Sequence, residues 1–207
     1  MTRSMFTALI IAVLAVCSAH AVIYDFEVFT TNGIYSDSLD GMYVEVDNGA
    51  GFVDLTFYNG AAVQSNISGI FFDDGSLLGV DSITNSPSYT NFSTPGSPGV
   101  FPSGNQLDPS FVTIKEFNTG AGSPPPQKGV NEGDLVNEWV IVTFELINGG
   151  TLADVLAELN SGVLRIGIHI TNLTDGSSES AILVPEPATM GLLGLGGLLL
   201  LRRRRRH

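Results

Sequence analysis

Alternation of apolar and polar positions dominates the middle of the chain and predicts strands. Val22–Phe29 alternates over its second half. Met42–Asp47 and Gly51–Tyr58 follow, joined through Asn48-Gly49, a favoured hairpin turn, and the second run ends at Asn59-Gly60. Ile67–Phe72 and Leu77–Ile83 flank a second turn signal, Asp73-Asp74-Gly75. Phe111–Phe117 reads as a further strand. Trp139–Ile147, rich in β-branched and aromatic residues, is the strongest, and Val163–Ile170 and Ala181–Val184 complete the set. One segment departs from period two. Leu152, Val155, Leu156 and Leu159 fall on one helical face, Thr151 and Asp154 are spaced as a capping box, and Gly162 supplies a stop, so 151–160 predicts an amphipathic helix. Short strands between turn-rich connections indicate an all-β domain of sandwich or jelly-roll type carrying one short helix. Asn85–Gln106 and Gly120–Gly133 are proline- and glycine-rich and read as long loops, disordered or merely variable.

The two ends follow a different pattern. Met1–Arg3 and the apolar run Phe6–Val16 precede Ala19-His20-Ala21, the small-x-small arrangement of a secretory signal peptide cut after Ala21. Signal peptidase needs small side chains at Ala19 and Ala21 because its pocket takes both in an extended backbone. The run falls short of the about 20 residues of a transmembrane helix, which disfavours an uncleaved anchor. Cys17 follows Val16 rather than the small residue of a lipoprotein signal, and it is the single cysteine of the chain. The mature protein is thus expected to hold no disulfide, thiol nucleophile or thiolate metal site.

At the other end, Val184-Pro185-Glu186-Pro187-Ala188-Thr189 leads into an apolar stretch, Ala188–Leu201, and then Arg202, Arg203, Arg204, Arg205 and Arg206. Fourteen helical residues span about 21 Å, less than a bilayer core of about 30 Å, and Gly191, Gly194, Gly196 and Gly197 thin the stretch further. Snorkelling arginine stems lengthen the effective span. The arginines act as a membrane stop, held in the cytoplasm by the positive-inside bias. Nuclear import or nucleic-acid binding is the other use of a basic run, and its position against an apolar helix in an exported chain argues against it.

The order proline-glutamate-proline, short Gly/Leu helix, arginine cluster over 184–207 resembles the PEP-CTERM sorting signal. The resemblance implies a Gram-negative host with an exopolysaccharide or biofilm system. It implies recognition of Pro185, Glu186 and Pro187 by an exosortase, transient residence in the inner membrane, removal of the tail, and a body released to or linked at the cell surface. Within the body, Ile67–Gly75, Asn131-Glu-Gly-Asp134, Thr151–Val155, Leu164–Ile170 and Gly176–Ser180 resemble segments that recur in one group of exported proteins with this tail. That likeness brings no catalytic residues with it. The expected organisation is a signal peptide over 1–21, an extracellular β domain over 22–183 and the sorting signal over 184–207.

Charge sharpens the picture. The body carries 20 acidic side chains against three basic ones, Lys115, Lys128 and Arg165, a net charge of about −17 against −12 for the whole chain. Such a surface repels nucleic acid and anionic lipid. Candidate chemistry is thin. His169 is the one histidine left after both cuts, on a strand face shared with Arg165 and Gly167, and no G-x-S-x-G elbow accompanies it. One histidine cannot hold zinc. Calcium needs only oxygens, and Asp73, Asp74 and Asp81 are weak candidates without a D-x-[DN]-x-[DN]-G loop. No cofactor is expected. The reading is a non-enzymatic surface or matrix protein associated with exopolysaccharide. The alternative is a carbohydrate-binding module, calcium-assisted in one version, for which Tyr24, Tyr35, Tyr43, Tyr58 and Tyr89 are the available aromatics.

Overall fold

The computed structural model describes residues 21–49, 51–73, 76–87, 89–120 and 128–185, the side chain of Val80 excepted. Ten strands occur there: β1 (Val22–Val28), β2 (Met42–Asn48), β3 (Phe52–Asn59), β4 (Asn66–Asp73), β5 (Leu78–Asn85), β6 (Lys115–Asn118), β7 (Val130–Asn131), β8 (Val140–Leu146), β9 (Arg165–Thr171) and β10 (Glu179–Leu183). One α-helix, α1 (Leu152–Ser161), stands between β8 and β9, and single 3₁₀ turns occur at Ser36–Ser38 and Gly104–Gln106. Every pairing is antiparallel, along the path β5-β8-β3-β2-β1-β10-β9-β4-β6, with β7 also on β4.

The path is one curled ladder because β1 serves two partners. Val22–Asp25 pairs with β2 and Phe26–Val28 pairs with β10. Strand twist accumulated along such a path turns its two halves toward each other. The rings prove the contact. Phe57 and Phe144 from β3 and β8 meet Phe72 of β4 at 6.4 and 5.0 Å, and Phe117 of β6 lies 6.0 Å from Phe144. Val44, Leu55, Val142, Ile70, Ile166, Ile168 and Ile170 fill the same core at 0% exposure. The expected all-β body with one helix therefore holds in outline.

The helix forms as its pattern predicts. Thr151 and Asp154 exchange the capping-box bonds, Gly162 closes the last turn at φ 73°, and Val155 and Leu159 are buried in the main core. It carries the chain from the β8 side to the β9 side across the end of the core.

The two outermost strands, β5 and β6, bring their charges inward. Asp81 faces the core side opposite Phe144, and Lys115 does so opposite Phe72. They pair with each other at 2.5 Å. Inward charges on edge strands discourage edge-to-edge association, and here they also clip the open seam of the curl. Past Asn85 the seam is closed by chain. The Asn85 side chain bonds both Phe92 backbone groups, and Ser93 pairs with Asn118.

Two expectations change. The strand expected over Phe111–Phe117 shrinks to β6, because Phe111 leaves the ladder for a second apolar cluster. The connection 85–106, expected to be disordered or variable, is tied down. Phe101 is fully buried on the outer face of the sheet against Phe71, Phe29 and Phe111. Within the other expected loop, Val130–Asn131 pairs with β4 as β7.

Candidate functional site

The sorting junction comes first. The Val184 amide donates to the Asp25 carbonyl at 3.0 Å, so the ladder runs up to the residue before Pro185. Proline has no amide to donate, so pairing stops there. Pro185 is half-buried, and Ala21 is exposed at the foot of β1. Ala19, Glu186, Pro187, the apolar stretch 188–201 and Arg202–Arg206 lie outside the described residues. Among the described residues no helix is long and apolar enough to cross a membrane.

The five aromatics named above separate by register. Tyr24 is 2% exposed and its hydroxyl lies 3.3 Å from Asn160. Tyr35 and Tyr89 sit in connections. Tyr43 and Tyr58 are directly opposite each other on β2 and β3, stacked with centroids 5.0 Å apart, on the outer face of the β5-β8-β3-β2-β1 half. Asp25 lies opposite Tyr43 on the other side, and Glu45, Thr56, Asp54 and Thr143 continue the same face. Burial pushes both phenols above their ordinary pKa, and the Glu45 carboxylate adds to it. Both therefore remain hydroxyl donors at neutral pH. The other half of the ladder has no such open face, because the Phe101 cluster covers it.

His169 lines a shallow groove of about 420 Å³ on that covered half, with Ser68, Phe71, Glu116, Asn118 and Thr119 around it. Its Nδ1 is buried without a hydrogen bond. The neighbouring Ser68 hydroxyl donates to the His169 carbonyl at 3.3 Å, not to the ring. Glu116 is occupied as well, accepting from the Gly99 amide and, at 2.6 Å, from the Asn118 side chain. The arrangement anchors the 95–100 segment and aligns no nucleophile with a base. Burial lowers the His169 pKa below 6.5, and the Glu179 carbonyl offsets part of this. The fold thus favours the neutral ring, whereas the unfolded chain takes a proton as pH falls through about 6.5. Stability is expected to be full above that pH and to decline below it. Urea unfolding at about pH 7.5 and about pH 5.5 measures this, and His169→Gln should flatten the difference.

The calcium candidates do not converge. Asp73 is taken by Arg165, which also donates to the Pro109 and Ser110 carbonyls and lies 5.2 Å over the Phe111 ring. Asp81 is taken by Lys115. Asp74 lies outside the described residues. Among the described residues no three His, Cys, Asp or Glu side chains gather as a metal site. Among the described residues, the most deeply buried carboxylate is one that sequence reasoning did not single out. Glu179, at 0% exposure, accepts from the Thr30 hydroxyl at 2.5 Å and the Gly33 amide at 2.7 Å, fastening the segment after β1 to β10. Nothing in the local pattern of Ser178-Glu179-Ser180 signals it, since its partners are 146 or more residues away.

Comparison with known proteins bears on the junction. Residues 183–206 match the family described as the PEP-CTERM protein-sorting motif. No curated protein and no solved structure matches the chain.

Proposed function

We propose that the chain is an exported protein whose tail is cut by an exosortase at Pro185-Glu186-Pro187, releasing to the cell surface a non-enzymatic β domain that associates with exopolysaccharide. Exosortase-dependent sorting of a membrane-anchored precursor is what the PEP-CTERM motif implies. One observation carries the extension to the body: the motif starts where β10 stops, so the folded domain is itself the cargo and no further segment separates the two. We read the curled ladder as a sandwich of jelly-roll type, stable without disulfides because it buries enough apolar surface. Signal peptidase would open the mature chain at Val22, the first residue of β1.

Intact mass of the protein recovered from the host surface or medium tests this. The expected species lacks Met1–Ala21 and ends near Pro185. A species that retains Arg202–Arg206 overturns the sorting reading and leaves a membrane-held domain.

A second reading rests on Tyr43 and Tyr58. Two adjoining phenols with flanking carboxylates and hydroxyls on an open sheet face offer stacking surface and polar contacts to a sugar chain. Titration with the host's own polysaccharide should give binding that weakens at least about tenfold, about 1.4 kcal/mol, in the Tyr43→Ala/Tyr58→Ala double variant. The same titration with EDTA separates a calcium-assisted form. Equal binding by both proteins removes this reading.

A further inference from the structure

We propose that one pole of the body, the end of the ladder formed by the β2–β3 hairpin, the β8–α1 connection and the α1–β9 connection, is seated on the lipid surface in the tail-bearing precursor. The proposal rests on the sorting reading, in that the tail must enter the bilayer.

The chain enters the body at this pole, and its exit stops three residues of β1 short of it. Val22 stands opposite Val46, next to the hairpin. β10 runs toward the same end, with Leu183 opposite Phe26 and Val184 bonded to Asp25. Ala188, where the apolar stretch begins, is three residues on from Pro185. Three residues of chain reach at most about 11 Å even when fully extended. The headgroup layer on each side of a bilayer core is itself about 5 to 8 Å deep. A tail entering at Ala188 therefore leaves at most about 3 to 6 Å between Pro185 and the headgroups. β1 runs on past Asp25 by three residues toward the pole, about 10 Å, so the pole lies in or on the headgroups.

The side chains at that pole suit an interface. Phe52 in the hairpin is 45% exposed, Ile147 after β8 39%, Val163 before β9 53% and Ile23 at the foot of β1 48%. The far end also exposes apolar side chains, Ile34 and Val136 among them, so exposure alone does not choose between the poles. Tether length does. Charge works against the contact, since Asp47 and Glu145 stand exposed beside Phe52. An anionic surface repels them. The contact is thus maintained by the high local concentration a short tether imposes, and removing the tether ends it. Seating and release are two sides of one device: the same cut that frees the chain removes the only thing holding an acidic body against lipid.

The test uses the chain from Val22 to His207, tail included, in neutral phosphatidylcholine vesicles whose acyl chains carry bromine. A Trp139→Phe background receives a single tryptophan at Phe52, at Val163 or, as the far-end control, at Val136. If the pole is seated, the chain floats with the vesicles, and Phe52→Trp and Val163→Trp lose most of their fluorescence while Val136→Trp keeps its own. Flotation with equal quenching at all three positions, or with none at Phe52 and Val163, overturns the seating and leaves the sorting reading intact. Failure to float overturns membrane insertion of the tail, and the seating with it.

Discussion

Phe101→Ala is expected to detach the long connection between β5 and β6 while the main core stays folded. The ring is completely buried, 5.1 Å from Phe71, 5.8 Å from Phe29 and 4.7 Å from Phe111. It lies directly over Gly167, where a Cβ would come within 2.5 Å of the ring. Its amide donates to the Thr113 hydroxyl at 3.1 Å. Truncating a buried phenylalanine costs about 3–5 kcal/mol. Here the loss falls on a cluster that few other residues share, so the cheapest response is local opening. Limited proteolysis should then cut between Ser93 and Ile114 in the variant and spare that segment in the parent. Trp139 fluorescence, reporting on the β8 side, should change little at low denaturant. Resistance to cutting equal to the parent's would mean that the Glu116–Gly99 anchor and the Ser93–Asn118 pairing hold the connection without Phe101.

That connection marks where the sequence stopped being readable. Strands with one face in the core alternate visibly: Val44 and Val46 point in while Tyr43 and Glu45 point out. The turn expected at Asn48-Gly49 is displaced: Asn48 stands in the ladder opposite Val53 and the Gly49 amide donates to the Phe52 carbonyl at 2.9 Å, so the chain turns only past Gly49. The helix was legible from its capping box and its four apolar positions for the same reason, a local pattern with a local cause. β4 shows no alternation because both its faces are covered, Ile70 and Phe72 by the main core and Phe71 by the Phe101 cluster. The covering segment has no period at all. It is held by Phe92, Phe101 and Phe111 at irregular spacing, the first in the main core and the other two in the outer cluster. Phe111–Phe117 has the composition of a strand, yet Arg165 binds the Pro109 and Ser110 carbonyls and draws that stretch off the ladder.

Candidate sites divide in the same way. The sorting motif is contiguous, so its order of residues can be read directly. The shared face of Arg165, Gly167 and His169 follows from alternation, but the need for glycine at 167 does not, because the ring that occupies its space comes from 66 positions earlier in the chain. Five tyrosines were available as a sugar platform, and only the β2–β3 register selects Tyr43 and Tyr58 as neighbours. Asp73 and Asp81 looked like oxygen ligands until the register brought Arg165 and Lys115 beside them.

Phe72→Ala is expected to destabilise the whole body as a single unit. Phe72 is the ring on which the two halves of the curl meet: Phe57 and Phe144 approach it from one half and Phe117, 5.8 Å away, from its own. All three contacts are edge-on, the arrangement that adds to simple area burial. Its loss costs about 3–5 kcal/mol, a large part of the about 5–15 kcal/mol that holds a typical domain together. No disulfide shares the load, since Cys17 is the chain's one cysteine. The distinction from Phe101 is positional. Phe101 secures a covering segment that can lift away alone, whereas opening the body at Phe72 exposes Ile70, Ile168, Leu55 and Val142 together. The transition should therefore remain two-state, with the urea midpoint shifted down and its slope unchanged, and with Trp139 fluorescence and far-ultraviolet dichroism coinciding. A midpoint close to the parent's, or a second transition separating the probes, would mean that the halves are held independently and that β1, which pairs with both, is the joint between them rather than a member of one cooperative core.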